Sequence, residues 1–155
     1  MSSVDFRRID IDRLNPDNAL TQEELVPPQA PVSAQDVAAK GQEARQLLSR
    51  GDYGGALKAV LDNPPYGGDE EAKTLNLKNF IEVVTAVKSS DITPIVEQLS
   101  PDNQNVLIKY LYKGMDSPLG QSHGNGGVLL SWFEKTVDIT GQGSIIRYIA
   151  DRRRV

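Results

Sequence analysis

The sequence predicts an all-α protein: about seven short helices in antiparallel hairpins that stack into an α-α superhelix, preceded by an extended N-terminal segment. Three observations support this prediction. After residue 33, apolar residues recur at the three- and four-residue spacing of helices. Capping residues stand at the expected helix starts, and glycine or proline follows the expected ends. No segment of this region shows the strict alternation typical of a strand. Because the connections span only a few residues, consecutive helices are expected to be antiparallel neighbours.

Residues 1–33 are predicted to be an extended tether with a proline-rich linker, separate from a helical body at 34–155. Four prolines lie among polar residues at 14–33. Proline fixes φ and lacks a backbone donor, so such a stretch favours extended chain. Ahead of the prolines, isoleucines alternate with charged residues. Two interpretations stay open: a frayed chain end, or a short anchor that docks Phe6, Ile9 and Ile11 on a second surface.

Three helices are predicted in the first half of the body. Ser33 or Asp36 can cap the first helix, which ends before Gly51, where glycine suits the left-handed position that follows a helix. Asp52 can cap the second helix. Acidic residues after Asp69 favour the positive N-terminal end of the third. The predicted buried faces carry Val37, Ala44, Leu47 and Leu48; then Tyr53, Ala56, Leu57, Val60 and Leu61; then Leu77, Phe80, Ile81, Val84 and Val87.

Four more helices are predicted after residue 88. The fourth tolerates Pro94 in its first turn. The fifth starts at Ser100-Pro101, a specific start signal, because serine caps a helix and proline fits its first position. Four glycines and a proline predict a loop over 116–127. The fourth helix begins near residue 90, the fifth spans about 101–115, the sixth spans about 128–138, and the seventh follows Gly143 and ends near Arg152.

The fifth helix is too apolar to have a single buried face. Its apolar and aromatic side chains are Val106, Leu107, Ile108, Tyr110, Leu111, Tyr112 and Met115. A second face must therefore be covered by other helices or by another protein. Tyr110 and Tyr112 lie two residues apart and point in different directions. Each can complete the core with its hydroxyl at the edge, or contact a partner. The large aromatic side chains of Trp132 and Phe133 are expected in the core.

The composition excludes several classes of function. A chain of 155 residues fits one domain with one core, and the absence of cysteine excludes disulfides, thiolate catalysis and cysteine-ligated zinc. The net charge of −4 is concentrated in residues 1–33, which hold three arginines and six carboxylates. The body is near neutral, so no nucleic-acid partner is expected. No apolar run approaches the roughly 18 residues of a membrane span, and no signal-peptide core is present. The protein is expected to be soluble and intracellular, without a membrane partner.

The few groups that could support catalysis are poorly placed for it. His123 lies in a glycine-rich stretch with no acid nearby in sequence, although general-base catalysis needs a positioned partner. The glycines at 124–127 lack the Lys-Ser/Thr of a P-loop, and those at 141–143 lack the preceding strand of a dinucleotide site. No metal site and no cofactor are expected. A small enzyme built around the 116–127 loop is the most distant alternative.

Four stretches, spread over nearly the whole chain, carry a family resemblance. They are Phe6 to Asp12, Lys88 to Ile92, Leu107 to Met115, and Gly143 to Arg147 with Trp132 before it. In this order they resemble subunit 5 of the actin-related protein 2/3 complex, the small helical subunit of the assembly that nucleates branched actin filaments.

The resemblance implies an all-α superhelical subunit of the cytoplasmic actin cytoskeleton, with no active site and no cofactor. In that family the body packs on subunit 4 and helps to hold the β-propeller subunit 1. The N-terminal segment reaches an actin-related protein, and actin filaments are reached through the complex. By position, the tether contacts would be Phe6, Arg7, Ile9 and Asp10, and the partner surface of the body would include Lys109, Tyr110, Tyr112, Lys113 and Arg147.

Two further alternatives stay open. The chain could be a free-standing helical-repeat adaptor that binds peptide motifs in a concave groove. The run Arg152–Arg154 could complement the dipole of a helix C-terminus, or it could contact an acidic partner surface. Three arginines are fewer than the about 4 to 8 basic residues of lipid-binding clusters.

Overall fold

The computed structural model describes residues 15, 24–25 and 31–155. This part of the chain contains eight α-helices and two 3₁₀ turns, and no strand occurs in it. The all-α prediction is therefore confirmed. The helices are α1 (Ala34–Ser49), α2 (Tyr53–Leu61), α3 (Glu70–Ala86), α4 (Ile92–Glu97), α5 (Pro101–Asp116), α6 (Pro118–Gln121), α7 (Asn125–Thr140) and α8 (Gly143–Ala150), with 3₁₀ turns at Ser89–Asp91 and Ser122–Gly124.

Polar side chains cap the helices where the sequence predicts their starts. Ser33 accepts a hydrogen bond from the amide three residues on, at 3.2 Å, as half of a reciprocal capping box on α1. The side chains of Asp52, Asp69 and Ser100 likewise accept a hydrogen bond from the amide three residues on, at the starts of α2, α3 and α5; the distances are 2.8, 2.9 and 3.2 Å. Gly51 follows α1 with φ +80°, the left-handed conformation that glycine adopts without a Cβ clash. These predictions are confirmed.

The core lies between α1, α2 and α3, which contact one another, and the helices that follow them. Helices α5 and α7 pack against each other and against α3, and they connect it to α4, α6 and α8. The rings of Phe80 and Tyr110 stack at a centroid distance of 5.2 Å where α3 meets α5. Trp132 of α7 is fully buried, as predicted, and Phe133 is half-buried at the edge of the core.

The prediction of a loop over 116–127 is wrong, because these residues are largely helical. Ser117 caps α6 by accepting a hydrogen bond from an amide at 3.2 Å, and Pro118 occupies the first helical position. The pair repeats the start signal that Ser100 provides for α5. A 3₁₀ turn follows α6, and α7 begins at Asn125 rather than near residue 128. Glycine lowers helix propensity, but tertiary packing overrides that preference here.

Gly120 is required by this packing. A Cβ atom placed on Gly120 would lie 2.0 Å from the carbonyl oxygen of Gly114 on α5 and 2.9 Å from a methyl group of Leu129 on α7. Both glycines are buried, and Gly114 also approaches Leu129. The short helix α6 therefore packs directly against the backbone of α5, and only glycine allows this approach.

The change Gly120→Ala is expected to destabilise the protein by about 1–3 kcal/mol, because the new methyl group would overlap backbone atoms that cannot move independently. Gly127→Ala is the matched control, since a Cβ at that position meets nothing within 4 Å. The control is expected to leave stability unchanged or to raise it by up to about 1 kcal/mol through helix propensity. Urea unfolding measures both. Equal stabilities for the two variants would contradict the packing argument.

Candidate protein interface

Helix α8 presents an apolar face that no other described helix covers. The helix packs on α5 and α7, with Ser144 buried and Tyr148 half-buried on its inner side. On the outer side, Ile146 and Ile149 are 66% and 75% exposed, the highest values among the large hydrophobic side chains that the structure describes. Residues three apart lie on one face of a helix. The two isoleucines therefore form a continuous apolar surface in contact with water.

An aromatic stack holds α8 in place. The ring of Tyr112 on α5 lies parallel to the ring of Tyr148 at a centroid distance of 4.4 Å and an angle of 7°. It also meets Phe133 of α7 edge to face at 5.2 Å. Tyr112 is half-buried. Its ring therefore supports the body from within, and its assignment to a partner surface stays a prediction.

Tyr110 lies inside the core. Its side chain is fully buried against Phe80, and its hydroxyl oxygen accepts a hydrogen bond from the Asn76 amide at 2.5 Å. Burial raises the pKa of the Tyr110 hydroxyl well above its ordinary value. For Tyr110 the core interpretation is therefore the one that the geometry supports, because a fully covered ring has no surface to offer a partner.

Lys109 is also covered, although the family resemblance implied a place on a partner surface. Lys109 as a whole is only 4% exposed to solvent. The ammonium Nζ donates to Asp151 Oδ2 at 2.6 Å, to the Tyr66 hydroxyl at 3.1 Å and to the Arg153 carbonyl at 3.3 Å. These groups come from the segment after α2 and from the segment after α8, which close over α5. A lysine with three internal partners belongs to the body rather than to an open surface.

Residues 151–155, here called the strap, fold back over α5. Asp151 accepts charge-assisted hydrogen bonds from two nitrogens of the Arg153 guanidinium, from Nε at 3.0 Å and from Nη2 at 2.6 Å. Val155 is buried in the core cluster, whereas Arg152 and Arg154 are exposed. Alternate strap residues therefore point inward and outward. Helix α8 ends at Ala150, two residues before the predicted end, so Arg153 lies beyond the helix. Its charge pairs with Asp151.

The other predicted contact residues divide into two groups. Lys113 and Arg147 are exposed, and Arg147 Nε donates to Asn105 Oδ1 at 2.8 Å. Their place on a partner surface stays a prediction. The predicted tether contacts lie outside the described residues; they are Phe6, Arg7, Ile9 and Asp10.

Sequence reasoning missed Ile146 and Ile149. A signal for them was present, because Ile145, Ile146 and Ile149 place apolar groups on two sides of a short helix. The same argument that assigned two buried faces to the fifth helix applies to α8.

The described residues contain no group of three or more His, Cys, Asp and Glu side chains arranged to hold a metal ion. None of the helices in this part of the chain is both long enough and apolar enough to cross a membrane. The side chain of His123 lies outside what the structure describes, so the interpretation of this residue stays a prediction.

Comparisons with known proteins match nearly the whole chain to one family. Residues 5–155 match the sequence model of a family described as the ARP2/3 complex 16 kDa subunit, p16-Arc. The chain is 40% identical over 154 residues to "Actin-related protein 2/3 complex subunit 5" of Saccharomyces cerevisiae, covering 98% of this chain and 99% of the relative. It is 33% identical over 160 residues to subunit 5-C of Xenopus laevis, with 99% and 96% covered. It is also 33% identical over 151 residues to the subunit 5-like protein of Homo sapiens, with 97% and 94% covered.

Proposed function

This chain belongs to the family of ARP2/3 complex 16 kDa subunits, p16-Arc, and we propose from this premise that it is a non-catalytic structural subunit of that complex. Its role is to support nucleation of branched actin filaments by holding neighbouring subunits together. The near full-length similarity to the Saccharomyces cerevisiae subunit 5 supports this assignment. So does the resemblance of its four sequence stretches to that family.

The observation that carries the proposal is the uncovered apolar face of α8. A monomer that exposes two neighbouring isoleucines leaves apolar surface in water, and covering such a surface is a main driving force of protein association. Behind this face, the tyrosine stack and the strap hold α8 and the chain end against α5. The geometry is thus suited to holding another protein at a fixed position rather than to converting a substrate.

The partners follow from the family. The helical body is proposed to pack on subunit 4 and to help hold the β-propeller subunit 1. The segment 1–33 is proposed to act as a tether to an actin-related protein, and actin filaments are reached through the complex. The family match begins at residue 5, so the family pattern includes the proposed tether. The corresponding location is the cytoplasmic actin cytoskeleton.

Native mass spectrometry of the tagged chain, purified from its own cells, tests the proposal. A structural subunit emerges in a stoichiometric assembly that contains the other subunits of the complex. A free-standing peptide-binding adaptor would instead emerge alone or with variable clients. An assembly without an actin-related protein would contradict the proposed function.

The double change Ile146→Glu and Ile149→Glu is expected to weaken incorporation into the complex at least about tenfold, because two carboxylates would have to be buried in an apolar contact. Both positions are exposed in the body, so the melting temperature of the isolated chain should stay within about 2 °C. Thr74→Glu places one such carboxylate at an exposed position of α3 and serves as the control. Unchanged incorporation of the double variant would exclude this face from the interface. Tyr112→Ala is a poorer probe, because that ring also packs within the body.

Deletion of residues 1–13 is expected to leave a folded body that still joins the complex, while filament nucleation becomes weaker. The reason is that this segment is proposed to contact an actin-related protein rather than to build the helical body. Pyrene-actin assembly assays measure nucleation, and native mass spectrometry on the same sample measures incorporation. Loss of cooperative thermal unfolding after this deletion would show that the segment belongs to the folded body.

A further inference from the structure

A groove between α5 and the strap combines an apolar floor with a cationic rim. The floor is formed by the side chains of Tyr112, Tyr148 and Ile149. The rim carries the exposed cations of Lys113, Arg152 and Arg154. The groove thus adjoins the apolar face of α8, because Ile149 contributes to both.

The groove is positively charged, whereas the chain as a whole is negatively charged. Five cationic side chains and two carboxylates line it, a net charge of +3, whereas the whole chain has a net charge of −4. Two of the cations, Lys109 and Arg153, are paired with Asp151 inside the body. None of the ion pairs in the described residues involves the three rim cations. The rim therefore holds positive charge that the body does not neutralise; besides Asp151, Asp116 is the only described carboxylate side chain that lines the groove.

We propose that this groove binds an acidic segment of a neighbouring subunit, with an apolar residue of that segment seated on the tyrosine pair. The inference rests on the proposed function, since it states the chemistry of a partner surface that the body meets. Carboxylates of the segment would pair with Lys113, Arg152 and Arg154, and the planar guanidinium groups can bind them in a bidentate way. The apolar floor would supply contact area, because tyrosine is a frequent anchor of interfaces.

The observations favour an acidic protein segment over a polyanion. A nucleic acid or a lipid surface is bound through a broad cationic footprint, and lipid-binding clusters use about 4 to 8 basic residues. Here three free cations surround an apolar floor, and the rest of the chain is acidic. Net repulsion would oppose an extended polyanion, whereas a short segment would meet only the local positive charge.

Carbodiimide cross-linking of the assembled complex tests the partner chemistry directly. The reagent joins an ammonium group to a carboxylate within contact distance, so Lys113 should become linked to an Asp or Glu of another subunit. In the double variant Arg152→Lys and Arg154→Lys, the two new lysines should become linked to the same partner segment. Cross-linking of the isolated chain identifies any internal link, such as one between Lys113 and Asp116.

Association kinetics provide a second, independent readout. Rim charges act mainly on the association rate, and salt screens their effect. The double variant Arg152→Gln and Arg154→Gln should therefore join a complex that lacks this subunit about tenfold more slowly at low ionic strength. The difference should shrink at high salt. The lysine double variant should retain most of the wild-type rate. Arg50→Gln with Lys78→Gln removes two exposed cations that do not line the groove, one just after α1 and one on α3, and should have no effect.

The outcomes separate this inference from the proposed function. If the wild-type chain joins the complex but Lys113 and the two introduced lysines form no links to another subunit, the inference is wrong and the proposed function stands. If the wild-type chain joins no such assembly, both are wrong. Binding of labelled oligouridylate or phosphatidylserine vesicles that depends on Arg152 and Arg154 would also overturn the inference, because the groove would then recognise a polyanion.

Discussion

Replacing Trp132 with alanine is expected to lower the free energy of unfolding by about 3–5 kcal/mol, the range for removing a large aromatic side chain from a packed core. Trp132 is fully buried where α7 crosses α3. A domain of this size gains only about 5–15 kcal/mol from folding, so the loss is a large fraction of the total. The melting temperature should fall by roughly 10–15 °C.

The indole also has a polar role that alanine cannot fill. Trp132 Nε1 donates to the Val84 carbonyl at 3.1 Å. Since α3 ends at Ala86, this carbonyl is one of the last four of the helix, which have no intrahelical partner. Trp132→Phe would keep most of the apolar volume but leave the carbonyl unpaired in the core, at a cost of about 1–3 kcal/mol.

Thermal and urea unfolding, followed by circular dichroism, measure both changes. Glu134→Ala is the matched control, because Glu134 lies on the exposed side of the same helix and should change stability by less than about 0.5 kcal/mol. If Trp132→Ala proved no more destabilising than this control, the assignment of Trp132 to the core would have to be abandoned.

The positions of most helices could be predicted because their start signals are local. A serine or aspartate that accepts a hydrogen bond from an amide three residues on depends only on neighbouring sequence. Ser100-Pro101 was therefore sufficient to place the start of α5. The same pair at Ser117-Pro118 marks the start of α6 in the structure, but the prediction of a loop counted Pro118 together with the glycines that follow. Their role depends on contact with the α5 backbone, which the sequence does not display.

The surroundings of Lys109 could not be predicted, because its partners are distant in sequence. Tyr66, Asp151 and Arg153 are separated from it by 43, 42 and 44 residues. A lysine within an apolar run shows only that its charge needs a partner. Whether that partner is solvent, another protein or the chain itself depends on where the strap lies.

The same limit applies to α8. Its sequence shows apolar side chains on two sides, but not which side the body covers. In the structure, the stacking of Tyr148 on Tyr112 turns the inner side towards α5 and leaves Ile146 and Ile149 outside. The tether predictions differ in kind from both cases, because Phe6, Arg7, Ile9 and Asp10 lie outside the described residues.

Replacing Asp151 with alanine is expected to destabilise the protein by about 3 kcal/mol, near the low end of the range for removing one partner of a buried ion pair. The Lys109 side chain keeps only 5% of its surface exposed, whereas that of Asp151 keeps 22%. Without Asp151, the ammonium would stay in the covered site with only the Tyr66 hydroxyl and a carbonyl as partners. The Arg153 guanidinium would lose its anchor as well, so the strap should loosen.

The reciprocal change, Lys109→Met, is expected to cost less than about 1.5 kcal/mol. It removes the buried charge and retains apolar contact, while Asp151 keeps its hydrogen bonds from Arg153. Urea unfolding of both single variants and of the double variant gives the coupling between the two residues. Equal costs for the two single changes would contradict this asymmetry, which depends on Lys109 being the more deeply buried partner.

Lowering the pH should remove the stabilisation that the ionised Asp151 carboxylate gives to the wild-type protein. Hydrogen bonds from Arg153 hold the pKa of the Asp151 carboxyl well below its usual range against the opposing effect of burial, and Lys109 lowers it further. In the unfolded chain this carboxyl has an ordinary pKa of about 3.9. Because the folded pKa is the lower one, the stabilisation is fully present above the unfolded value and is lost as the pH falls below it towards the folded value. The difference in unfolding free energy between wild type and Asp151→Ala should therefore be constant from about pH 6 to pH 8 and should shrink below about pH 4. A difference that persisted unchanged to about pH 2 would show that Asp151 stabilises the strap without its charge.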